Sequence, residues 1–148
     1  MEDFELPDQA GTPRRLSELL TGGPVVLFFY PAAMTFGCTR ESCGFRDAAA
    51  EFTAAGAVRV GISADPVDKQ QRFAERHGFD YPLLSDPDRT VAARFGVTDG
   101  FRLGPVRRAT FVIGQDRRVI DSFASELRFG SHVSWALRVL SGAGTSTS

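Results

Sequence analysis

Residues 25–43 read VVLFFYPAAMTFGCTRESC, and this stretch decides how the 148-residue chain is organised. Residues 25–30 form an unbroken apolar run between Pro24 and Pro31. The run is too short for an ordinary helix and rich in β-formers, so it predicts a buried strand near the centre of a sheet. From Thr39 to Ala55 the apolar spacing becomes helical until Gly56 stops it. Both cysteines, Cys38 and Cys43, fall where that helix begins. Unsatisfied backbone N–H groups and the positive end of the helix dipole favour a thiolate there.

Outward from this stretch, strand and helix alternate. Towards the N-terminus, Phe4 and Leu6 with the turn-like residues 7–13 predict an extended entry, and Ser17 to Leu20 a helical turn ended by Gly22 and Gly23. Downstream, residues 57–63 read as a second buried strand. Asp65-Pro66 opens a helix, with Asp as cap, Phe73 and Ala74 facing inward, and an end near Gly78. Residues 81–84 predict a short strand, and Asp86-Pro87 a helix through Val91, Ala92 and Phe95 to Gly96. Gly100, Gly104 and Pro105 mark a loop. Residues 109–113 and 118–123 are joined too closely for a parallel crossover and read as an antiparallel hairpin. Residues 133–140 predict a last helix with Trp135 facing the core. The pattern is α/β with a mixed sheet: one domain over residues 1–141 and a disordered Gly/Ser/Thr tail at 142–148.

Composition narrows the function classes. The chain is 43% hydrophobic and 24% charged, values of an ordinary globular domain able to build a core without disulfide staples. A net charge of −1 supplies no field suited to nucleic acid or an anionic membrane, although arginines pair locally at 14–15, 107–108 and 117–118. The opening residues MEDFELPDQ carry no signal-peptide pattern, and no apolar run is long enough to cross a bilayer, so a cytoplasmic protein is expected. In that compartment two cysteines read as catalytic, metal-binding or buried. His77 and His132 lack ligand spacing and read as surface or capping residues, so no metal and no cofactor is expected.

Cys43 lies five residues after Cys38. In an intact α-helix their Cα atoms would lie roughly 8 to 9 Å apart on different faces. That exceeds disulfide reach, so pairing would require the first turns to unwind.

The run FFYPAAMTFGCTRESCGFRD resembles the active-site segment of the peroxiredoxins, in which Pro, Thr and Cys stand as Pro31, Thr35 and Cys38 do here. The second cysteine in CTRESC narrows the likeness to the Q-type members, also called bacterioferritin comigratory proteins. FELPDQAG, YPLLSDP and RATFVI extend it over nearly the whole chain. The resemblance implies a thioredoxin-like fold with a mixed central sheet flanked by helices and an N-terminal extension. It also implies thiol-dependent reduction of hydrogen peroxide and organic hydroperoxides. Cys38 would be the nucleophile that becomes a sulfenic acid, and Cys43 would resolve it as an intramolecular disulfide. Thioredoxin or a similar dithiol would then reduce that disulfide. Thr35 would orient the peroxide, Pro31 would shield the pocket, Arg108 would steady the thiolate and Glu41 would hold the arginine. Arg107 is the neighbouring ambiguity, and a monomer is implied.

One position departs from the family pattern: Phe36 stands where Pro commonly follows the Thr, restoring a backbone N–H and freeing φ. Two other readings remain. A thioredoxin-type disulfide oxidoreductase shares the fold class but ordinarily spaces its cysteines by two residues, not four. A non-enzymatic metal or thiol module would need more ligands than two cysteines and two remote histidines.

Overall fold

The structure, a computed structural model, describes residues 2–98, 106–125 and 129–141. The expected loop at Gly100, Gly104 and Pro105 and the tail at 142–148 lie outside the described residues. Strand β3 (Val25–Phe29) is buried at every position, as its apolar run requires. It pairs in parallel with β4 (Val58–Ser63) on one side and antiparallel with β6 (Ala109–Ile113) on the other. With β5 (Leu83–Ser85) and β7 (Val119–Ala124) at the edges, the five-stranded order is β5-β4-β3-β6-β7. The mixed sheet follows from connection length. A helix separates the parallel neighbours, whereas only residues 114–118 join β6 to β7.

A period of two divides the core. Val26, Phe28 and Tyr30 face one side, joined by Phe45 of α2 (Phe36–Asp47), Phe73 and Ala74 of α4 (Val67–His77), and Trp135, Ala136 and Val139 of α6 (Phe129–Leu140). Val25, Leu27 and Phe29 face the other side, against Leu16 and Leu19 of α1 (Leu16–Leu19) and Val91 and Ala92 of α5 (Thr90–Arg94). The N-terminal extension is a separate antiparallel ribbon of β1 (Glu5–Pro7) and β2 (Pro13–Arg15), outside the main sheet.

Helix α2 is fastened to the sheet through its C-terminal half. The Phe45 ring stacks on Phe28 with centroids 4.2 Å apart and planes 8° from parallel. Burying such a ring is worth about 1.5–3 kcal/mol. Gly44 permits the close approach of α6, because a Cβ there would lie 3.2 Å from Val133 Cγ2.

The structure revises three local expectations. The predicted helix over residues 39–55 begins earlier, at Phe36, and breaks at Ala48 before α3 (Ala49–Ala54). Ala48, with φ −90° and ψ 18°, departs from helical geometry and separates the two helices. Asp65 does not cap α4, whose flanking residue Pro66 makes no side-chain cap. Its carboxylate instead accepts from Ala33 N–H at 2.6 Å and Ser63 O–H at 2.7 Å. The last helix starts at Phe129 and not at Val133.

Candidate active site

The turn that leads from β3 into α2 sets the geometry. Met34 has φ 67°, a left-handed conformation unusual for a residue with a side chain, and Thr35 is extended at φ −86°, ψ 159°. The Thr35 hydroxyl donates to the Ala32 carbonyl at 2.8 Å and makes no helix cap. The Asp65–Ala33 bond ties this turn to the end of β4. Behind it, Tyr30 O–H donates to Gln70 Oε1 at 2.5 Å, and Gln70 Nε2 donates to Ser63 Oγ at 3.0 Å. Burial pushes the Tyr30 phenol far up, keeping its proton for that bond.

Cys38 is the third residue of α2 and fully buried. Helical spacing carries Glu41, Ser42 and Phe45 to the same inward face, three, four and seven residues on. Register supplies the rest. Thr110 of β6 stands opposite Phe28, on the sheet face that α2 covers. Arg108, two residues earlier, points the same way, while Arg107 is exposed. Alternation therefore decides between the two arginines in favour of Arg108.

Arg108 Nη2 donates to Cys38 Sγ at 3.4 Å and Nη1 to Glu41 Oε1 at 3.0 Å. The guanidinium is 6% exposed and the carboxylate 0%, so water screens this pair little. Burial works against the charged guanidinium, but Glu41 and Cys38 outweigh it and push Arg108 above its ordinary value. A fixed cation beside sulfur favours a thiolate, and a charge-assisted bond to a buried carboxylate keeps that cation aimed.

His132 is a further member of the cluster, fully buried where a surface or capping residue was expected. Its Nδ1 lies 2.8 Å from Thr110 Oγ1 and 3.4 Å from Glu41 Oε2, and its Nε2 2.9 Å from the Ser125 carbonyl. A lone histidine matches no motif, but His132, Trp135, Ala136 and Val139 recur at helical spacing. Extending the apolar stripe of α6 back one turn would have found it.

The structure thus brings Cys38, Glu41 and Arg108 into contact. It leaves Pro31 half-buried and Thr35 exposed in the turn before the helix, with Thr35 bonded to Ala32. Cys43 lies on another face of α2, half-buried and reduced like Cys38. Burial pushes its thiol up; Arg46 opposes the shift and Asp47 adds to it. Arg40 is exposed and lines an open cleft of about 320 Å³ with Met34, Thr39, Arg76 and His77. The side chain of Phe36 lies outside the described residues. Among the described residues no group of three or more acidic, cysteine or histidine side chains is placed to hold a metal. Among them, too, no helix is long and apolar enough to cross a membrane.

A buried cysteine in the first turn of a helix, bonded to a buried guanidinium on a thioredoxin-like mixed sheet, defines a class, and comparison with known proteins agrees with it. The AhpC/TSA family profile matches residues 1–122, and the chain belongs to that family. The crystal structure of peroxidoxin BcpB from Mycobacterium tuberculosis superposes with a TM-score of 0.92 at 61% identity, covering 96% of this chain and 94% of that one. Peroxiredoxin Q of Xanthomonas campestris superposes with a TM-score of 0.86 at 29% identity, covering 94% and 90%. Peroxiredoxin Bcp of Escherichia coli is 37% identical over 140 residues, 89% of each chain. Within the family the chain is of the Bcp or Q type, and its activity is that of a thiol-dependent peroxidase. The resemblance read from the active-site segment and the expected fold class are both borne out.

Proposed function

We propose that Cys38 is the peroxidatic nucleophile and Cys43 its resolving partner, acting on hydrogen peroxide and organic hydroperoxides. The observation that carries this reading is the Arg108 guanidinium shared between Cys38 Sγ, at 3.4 Å, and Glu41, at 3.0 Å. The thiolate attacks the terminal peroxide oxygen. An S–O bond forms as the O–O bond breaks, and the departing alkoxide or hydroxide takes up a proton. Sulfur loses two electrons and becomes a sulfenic acid. Arg108 stabilises the developing negative charge, and Thr35 and Pro31 orient and shelter the peroxide at the turn.

Cys43 then attacks the sulfenic sulfur, forming the disulfide and releasing water. Both cysteines lie in one continuous helix, so this step requires α2 to unwind. An external dithiol of the thioredoxin kind restores the two thiols by exchange. The same reading takes residues 1–141 as a single domain, monomeric and cytoplasmic, with no nucleic-acid or membrane partner. Stopped-flow consumption of several hydroperoxides, with a thioredoxin system as electron source, tests substrate and reductant together. Fast turnover lost in Cys38→Ser supports the assignment, and turnover that survives Cys38→Ser overturns it.

A further inference from the structure

We infer that His132 is a positioning residue for the peroxidatic thiolate: its imidazolium shares the Glu41 carboxylate with Arg108 and adds positive charge to the buried cluster. The inference rests on the assignment of Cys38 as nucleophile but concerns a residue outside that assignment.

The Ser125 carbonyl, 2.9 Å from Nε2, can only accept, so Nε2 carries a hydrogen. Nδ1 then decides the charge. In the neutral ring it accepts from the Thr110 hydroxyl at 2.8 Å, and its lone pair faces Glu41 Oε2 at 3.4 Å, a repulsive contact. In the protonated ring, Nδ1–H has both oxygens as acceptors, and the same contact becomes attractive. Both side chains are 0% exposed, so solvent hardly weakens the difference.

Counting charges gives the coupling. Forming a thiolate at Cys38 adds one negative charge beside Arg108, and protonating His132 adds one positive charge on the other oxygen of the Glu41 carboxylate that Arg108 binds. Thiolate formation and protonation of His132 therefore favour each other, as coupled titrations do. Among the described residues, the groups facing His132 include Glu41 from α2, with Arg108 and Cys38 behind it, Thr110 from β6, and the Phe123 ring and Ser125 carbonyl at the end of β7. The Phe123 ring meets the imidazole at 4.8 Å, edge to face, and fixes its plane.

The test measures alkylation of Cys38 and peroxide consumption from about pH 5 to about pH 9 in Cys43→Ser protein. That background is compared with the same protein carrying His132→Gln or His132→Phe. The expected result is a roughly tenfold loss of both rates at acidic pH, with convergence on the parent at alkaline pH, where the imidazole is neutral in any case. A loss of equal size at every pH, or no loss, overturns the inference. Because the chain has only two histidines, the His132 ring can also be followed by nitrogen NMR in the unmutated protein. Its proton should leave at lower pH once Cys38 is methylated; an unchanged titration overturns the inference even if both variants misfold. If the Cys43→Ser parent itself lacks a fast thiol, the assignment of Cys38 as nucleophile fails instead.

Discussion

Cys38 and Cys43 share one helix, yet the protein treats them oppositely. Cys38 is completely buried, but the cover over its sulfur is polar: the Arg108 guanidinium, held by Glu41. Cys43 is more accessible, and its surroundings press its thiol towards the protonated form, burial first among the causes. Exposure and charged surroundings thus point to different sulfurs. On the proposed assignment, the contrast teaches that reactivity is set by which charges meet the sulfur, and that Cys43 gains reactivity only as the helix opens.

The first way to break this contrast is to exchange the roles. Cys38→Ser is expected to abolish peroxide consumption, whereas Cys43→Ser keeps the first turnover and loses recycling through an internal disulfide; single-turnover and steady-state kinetics separate the two. Next in size, Arg108→Met is expected to lower kcat/KM by roughly 10²- to 10³-fold, the effect of removing one preorganised donor from developing charge. Glu41→Gln keeps an acceptor for Arg108 but loses its charge, for an expected loss of about tenfold, or about 1.4 kcal/mol.

pH sharpens the comparison further. In Cys38→Ser protein, Cys43 is expected to alkylate roughly a hundredfold more slowly at neutral pH than Cys38 does in Cys43→Ser protein. A thiol whose value is raised in the folded helix retains its proton there. The stability this gives is full below the unfolded value of about 8.5 and is lost as pH rises through the folded value. Alkaline solution should therefore ease the opening of α2, read as faster hydrogen exchange over residues 36–43. The smallest expected effect on the peroxide reaction itself is that of Asp65→Ala. It removes the acceptor of Ala33 N–H and Ser63 O–H, costs about 1–3 kcal/mol in denaturant unfolding, and speeds disulfide formation by freeing the turn before α2.

Much of this was legible in the sequence because the decisive signals are local. The five apolar residues of β3 could only be a strand buried on both faces, and the short link between β6 and β7 could only be a hairpin. The cysteine helix announced itself by spacing. Arg108 could be separated from Arg107 only by β6 register, which alternation against Phe28 supplies. His132 escaped because a single histidine has no motif, and its partners come from α2, β6 and the end of β7, joined only by tertiary packing. Asp65 was misread for a related reason. Asp-Pro is a sound helix-start signal, but the turn at Ala33, 32 residues earlier, offers the carboxylate a better donor than the helix end does. The break at Ala48 carried no Gly or Pro to mark it.

The account rests on one ordered event, attack by Cys38 followed by pairing with Cys43 as α2 unwinds. Intact-mass and peptide-mass analysis of reduced protein mixed with one equivalent of hydroperoxide, with far-UV circular dichroism on the same sample, measures it directly. The account expects loss of two hydrogens, a Cys38–Cys43 cross-link and a parallel fall in helicity, with Cys43→Ser trapping a single added oxygen on Cys38. Two thiols left intact, oxygen appearing first on Cys43, or a cross-link formed with α2 unchanged would contradict it.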